Sequence, residues 1–123
     1  MLIAEAAQVK KAKDVIIMDM RKISNATDFF VICSGTSTKA IEAIAEGIID
    51  TLEKAGTKLG HIEGGNNALW VLLDYGDAIV HIFYSTTREF YNLEGLWGDA
   101  STIRFEDTSG VAKLKNTGLM EEN

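Results

Sequence analysis

Three short stretches carry residue types that do chemistry. CSGTSTK (residues 33–39) closes an apolar run with a glycine, several hydroxyls and a lysine. In that setting, backbone N–H groups at a helix start can cradle a phosphate. The full GxxxxGK[ST] spacing is missing, and a capped turn accounts for the same residues. A nucleotidyl-transfer site would also need two metal-binding carboxylates at i and i+2 on a strand, where both point the same way. No Asp-x-Asp, Asp-x-Glu or Glu-x-Asp occurs in the chain. Asp74 and Asp77 stand three apart across DYGD, a spacing that shapes a turn. Cys33 and His81 would make a nucleophile and base if adjacent. Each sits in an apolar run, where Cys33 reads as a small core residue and His81 as a buried or interface histidine. His61 and Glu63 offer two metal ligands in a glycine-rich loop, fewer than a zinc site needs. The expectation is a protein with no cofactor and no catalytic residues. Nucleotide binding at CSGTSTK stays as the alternative.

The elements that would position these residues fit one domain of 123 residues, long enough to bury a core without disulfides. A single cysteine fits a reducing compartment. The start MLIAEAAQVKK has no signal-peptide pattern, and no apolar run approaches the roughly 20 residues of a membrane span. A cytoplasmic protein is expected. Twelve basic and eighteen acidic residues give a net charge of −6 and leave no basic stripe, so direct nucleic-acid recognition is not expected. An acidic surface suits a basic protein partner, although the same charge also serves solubility.

Residues 2–13 read as a short amphipathic helix. DVIIMDM (14–20) and DFFVICSG (28–35) read as strands covered on both faces. Residues 37–56 form the clearest helix. Ile41, Ile44, Ala45, Ile48, Ile49 and Leu52 mark its buried face, Thr36 or Ser37 caps its start, and Gly56 follows its end. Gly47 within it suggests close packing against a strand. Residues 57–67 read as a loop, and ALWVLLD (68–74) with AIVHIFY (78–84) as a hairpin. Thr86 starts a further helix with Glu89 completing a capping box, and Phe90, Leu93 and Trp97 share one of its faces. Residues 101–106 read as an edge strand. The order is α-β-β-α-β-β-α-β: an α/β fold, with a mixed sheet of about five strands flanked by helices. Residues 1–106 form a single domain, and 107–123 a flexible tail.

Phe83, Tyr84, Phe90, Tyr91 and Trp97 all fall within residues 81–97. Phe83, Phe90 and Leu93 suit a core. Tyr91 points about 100° away from Phe90 around a helix. Tyr, Trp and Arg are the types that anchor interfaces, which makes Tyr91, Trp97, Trp70 and Arg88 a candidate docking set.

DFFVICSGTS (28–37), WVLLDYGDAIVHIF (70–83) and REFYNLEGLWGDA (88–100) resemble, in sequence, order and spacing, the ribosomal silencing factor, or Iojap-like, family. The resemblance covers about residues 2–105. It implies a fold related to nucleotidyltransferases but without their catalytic carboxylates. It also implies binding to the fourteenth protein of the large ribosomal subunit, steric block of subunit joining and damped translation when nutrients are scarce. Members often form homodimers. The family motifs fall on Trp70, Asp74 and His81, and on Arg88, Tyr91, Glu94, Trp97 and Asp99. The resemblance implies that these residues bind the ribosomal protein: Trp70, Tyr91 and Trp97 by apolar contact, Asp74, Glu94 and Asp99 by meeting basic side chains. Gly95 stands where the family often has a basic residue.

Overall fold

A computed structural model describes residues 1–105. The tail expected over 107–123, and its boundary at 106, lie outside the described residues. The elements run α1 (Leu2–Val9), β1 (Lys13–Asp19), β2 (Phe29–Gly35), α2 (Thr38–Lys54), β3 (His61–Glu63), β4 (Trp70–Asp74), β5 (Ala78–Tyr84), α3 (Ser85–Tyr91), α4 (Leu93–Leu96) and β6 (Ser101–Phe105). They build a six-stranded sheet in the order β3-β4-β5-β2-β1-β6. The central β2–β5 pair is parallel and every other pair is antiparallel. Among the described residues no helix is long and apolar enough to cross a membrane.

The mixed α/β sheet is as expected, with corrections in detail. The expected loop 57–67 holds a sixth strand, β3, which pairs with β4 from His61↔Asp74 to Glu63↔Leu72. Its three residues are all exposed, so burial left no hydrophobic alternation to read. The helix expected from Thr86 to Trp97 is two short helices. They are separated by Asn92, which sits in the left-handed region at φ 46. That break removes the shared face of Phe90, Leu93 and Trp97: Leu93 is buried, but Phe90 is 81% exposed and not core. The capping box is absent too. Ser85 already opens α3, and its N-cap Tyr84 makes no side-chain cap bond. Gly47 packs not on a strand but under the Lys10 side chain, whose Cγ would lie 2.7 Å from an added Cβ. Ser37 caps α2 as expected, its Oγ accepting from the Ala40 N–H at 3.0 Å.

Strand alternation sends side chains to two cores. Val15, Val31, Cys33, Val71, Leu73, Val80 and Ile82 meet α1 and α2, where Ile41, Ile44, Ile48 and Leu52 are buried. Ile16, Met18, Met20, Ile32 and Phe83 form the second core, closed by Leu93 from α4. One feature of β1 matters for that second layer. Its register against β2 slips between Lys13 and Ile16, and Asp14 takes φ 49 within the slip. Such a bulge re-aims a backbone group, here the Asp14 carbonyl.

Gly64 ends β3 at φ 93, and an added Cβ would stand 2.7 Å from the Trp70 carbonyl oxygen, whereas at Gly65 it meets nothing. Gly64→Ala should therefore cost at least about 1 kcal/mol in urea unfolding, and Gly65→Ala only a few tenths. Equal effects would refute the constraint at Gly64.

Candidate functional site

The second sheet face is broader than the two short helices above it, and aromatic rings fill the difference. Trp70 on β4 stands opposite Phe83 on β5 with ring centroids 4.8 Å apart, and Tyr91 of α3 covers Trp70 at 4.6 Å. His81 meets Phe30 of β2 edge-on at 4.7 Å, and Phe30 reaches Trp97 at 6.3 Å. Offset and edge-on pairs of this kind add to simple burial. Phe30, Trp70 and Trp97 are only partly buried, Tyr91 is 47% exposed, and Phe90 lies against Tyr91 at 5.1 Å. Leu96 of α4 is 67% exposed. Clustered apolar exposure on this scale is the mark of an interaction surface.

Two buried polar groups hold that surface. The Trp70 indole Nε1–H donates to His81 Nδ1 at 3.2 Å, which fixes the indole against the sheet. Because Nδ1 accepts, the neutral ring carries its proton on Nε2. Burial without a compensating charge lowers the His81 pKa from 6.5 to about 4. Arg88 is the second. Its Nε and Nη2 donate to Glu94 Oε2 at 3.0 and 2.8 Å, and its Nη1 donates to Ser34 Oγ at 3.0 Å and to the re-aimed Asp14 carbonyl at 2.7 Å. One guanidinium thus ties α3 to α4, β2 and the β1 bulge. Asn92 completes the elbow, its Oδ1 accepting from the Gly95 N–H at 3.2 Å.

Of the sequence-derived set, Trp70, His81, Tyr91 and Trp97 share this face. His81 and Arg88 lie inside it, 5% and 8% exposed. Glu94 sits beside Arg88, and Asp99 is exposed near Asp19 and Arg21. Asp74 stands apart at the far end of β4, about 13 Å from Trp70 at strand rise, with its Oδ1 accepting from the Gly76 N–H at 2.8 Å to shape the turn. Sequence reasoning missed Phe30, Phe90 and Leu96. Only Phe30 left a signal, because its alternation with buried Val31 puts it on the half-covered face.

The rival chemistry fares poorly. Cys33 belongs to the core under α1 and α2, while His81 faces the opposite side, so the two cannot pair. Burial pushes the Cys33 thiol up to about 12, which leaves it unreactive. In CSGTSTK, the α2 donors Ala40 N–H and Ile41 N–H are taken by Ser37 Oγ and the Ser37 carbonyl, both at 3.0 Å. An added Cβ at Gly35 would stand 3.1 Å from Ile41, so this glycine serves the close approach of β2 to α2. His61 and Glu63 pair with each other at 3.0 Å on exposed β3. Among the described residues, no group of three or more His, Cys, Asp or Glu could hold a metal.

Comparison with known proteins finds relatives along most of the chain. The family model described as "Ribosomal silencing factor during starvation" matches residues 1–122. Ribosomal silencing factor RsfS of Halalkalibacterium halodurans is 43% identical over 105 residues, which cover 85% of this chain and 90% of that one. A crystal structure of a protein from Chromobacterium violaceum superposes with a TM-score of 0.77 at 33% identity, over 79% of this chain and 81% of that chain. More distantly, the mouse protein named "Mitochondrial assembly of ribosomal large subunit protein 1" is 32% identical over 91 residues, 72% of this chain and 40% of that protein.

The His81 shift has a signed consequence. The unfolded chain takes up a proton near pH 6.5 and the folded chain only near 4, so stability should fall as pH drops through that window, by up to roughly 3 kcal/mol. In His81→Phe, urea midpoints measured between pH 7 and 4 should lose that part of the slope. An unchanged slope would show that His81 is not the group responsible.

Proposed function

The chain belongs to the ribosomal silencing factor family, and from that premise we propose that it binds the large ribosomal subunit through the subunit's fourteenth protein and blocks joining with the small subunit. Silencing by occlusion requires no chemistry. It requires a surface that docks firmly and a body that occupies the joining face. The protein acts in the cytoplasm and damps translation when nutrients are limiting.

The observation that best supports this reading is the half-covered aromatic face. Trp70, Tyr91 and Trp97 supply the apolar contact, extended by Phe30, Phe90 and Leu96. A standard interface takes about 800 Å² from each partner, enough to reach Asp74 at the other end of β4. Asp74 and Asp99, and the part of Glu94 not taken up by Arg88, meet basic side chains, and the net charge of −6 speeds encounter with a basic ribosomal protein. His81 and Arg88 serve by holding Trp70, α3 and α4 in place. The name of the mouse relative, which speaks of large-subunit assembly, favours the large subunit as partner. A second copy of the chain is the competing occupant of this face. If a homodimer forms through it, the monomer is the silencing species.

Co-sedimentation with isolated subunits tests the reading. The protein should pellet with large subunits only and reduce the yield of joined particles. Tyr91→Ala should weaken pelleting about tenfold or more while remaining folded by circular dichroism, whereas Ile62→Ala on the remote β3 edge should have no effect. Pelleting with neither subunit would sink the proposal. Titration with ATP, GTP or CTP plus magnesium should give no binding heat, and a saturable signal would revive the CSGTSTK alternative.

A further inference from the structure

His81 keeps one hydrogen-bonding group in reserve. Its side chain is 5% exposed, its Nδ1 accepts from Trp70, and its Nε2 is buried with no hydrogen-bond partner among the described residues. With Nδ1 occupied as acceptor, Nε2 carries the proton, so the orphan is a donor. Buried donors are nearly always paired, and one left unpaired is costly. Within the chain its neighbours are rings: Phe30 edge-on at 4.7 Å, and Trp70 and Phe83 at 5.9 and 6.2 Å. Phe30, the ring nearest the imidazole, is itself only partly buried.

We propose that His81 Nε2–H is a docking donor, which gives its hydrogen bond to a backbone carbonyl oxygen of the protein partner when the partner displaces the half-buried Phe30 ring that covers it. This rests on the docking face described above and assigns that face a specific polar contact. A carbonyl fits better than a carboxylate. The imidazole is neutral and the surrounding walls are aromatic, so no neighbouring group would compensate a full negative charge. The contact also gives the partner a fixed register, because a flat aromatic surface alone discriminates poorly between positions.

Two amide substitutions separate the two ring nitrogens. In His81→Asn the Oδ1 takes the place of Nδ1 and still accepts from Trp70, but nothing stands at Nε2. In His81→Gln an amide N–H stands near Nε2, but the acceptor for Trp70 is lost. Affinity for purified large ribosomal subunits, read by co-sedimentation, should fall about tenfold in His81→Asn and stay within about threefold in His81→Gln. Native-like affinity in His81→Asn, or the reverse order of the two variants, would overturn the proposal, and the reverse order would assign the histidine to positioning Trp70 alone. If the unsubstituted protein does not pellet, the docking reading itself fails. A check that needs no variant is the ¹⁵N spectrum of the imidazole in the free protein. A proton on Nε2 is expected, and a proton on Nδ1 would also overturn the proposal.

Discussion

A six-stranded sheet has two faces to bury, and the described residues hold helix enough for one. α1 and α2 close the centre of the first face, with Ile41, Ile44 and Ile48 fully buried against Val31, Val80 and Ile82. Among the described residues the second face receives only α3, seven residues, and α4, four. These bury Ile16, Ile32 and Phe83 and leave Trp70 and Phe30 only partly buried. The shortage is compensated by side-chain size: aromatic rings cover more area per residue than aliphatic groups. A surface that is mostly ring edges and half-buried faces results, and such surfaces gain most when a partner completes the cover.

The same shortage explains the polar groups below the rings. Short helices have little stability of their own, and α3 and α4 meet at a left-handed residue. Arg88 supplies what the helices lack, since one side chain bonds to three separate parts of the chain. Its ion pair is partly shielded and its other two acceptors come from the sheet, so its contribution is mainly geometric: breaking it would strand Ser34 and the Asp14 carbonyl. The β1 bulge belongs to this arrangement, because without the extra residue the Asp14 carbonyl would face the ladder instead of the guanidinium.

The sequence was legible wherever one face of one element carried the signal. The α2 face, the Ser37 cap, the β4–β5 hairpin and the missing carboxylate pair could all be read locally, and the three motif stretches pointed to the family. It was illegible where tertiary context decides. β3 has no buried residue, so its pairing left no periodicity. The split at Asn92 depends on a backbone conformation that an Asn permits but does not demand. Phe90 read as core because aromatic residues usually are, yet helix α3 ends before anything can cover it. The site was half legible: composition marked Trp70, Tyr91 and Trp97, whereas the separation of His81 and Arg88 into interior supports needed the sheet register and the bulge.

The strand order also bears on how the protein is made. β2 pairs with β5 across the whole of α2, β3 and β4, and β1 waits for β6, some eighty residues later in the chain. Such non-local pairings form late. The aromatic face draws on Phe30, Trp70, His81, Tyr91 and Trp97, so a nascent chain cannot display it until nearly all the described residues have emerged from the exit tunnel. Until then its unpaired strands and apolar rings are exposed to other chains, the period when aggregation competes with folding. A finished molecule and a growing one therefore present different surfaces, and only the finished one carries the aromatic face.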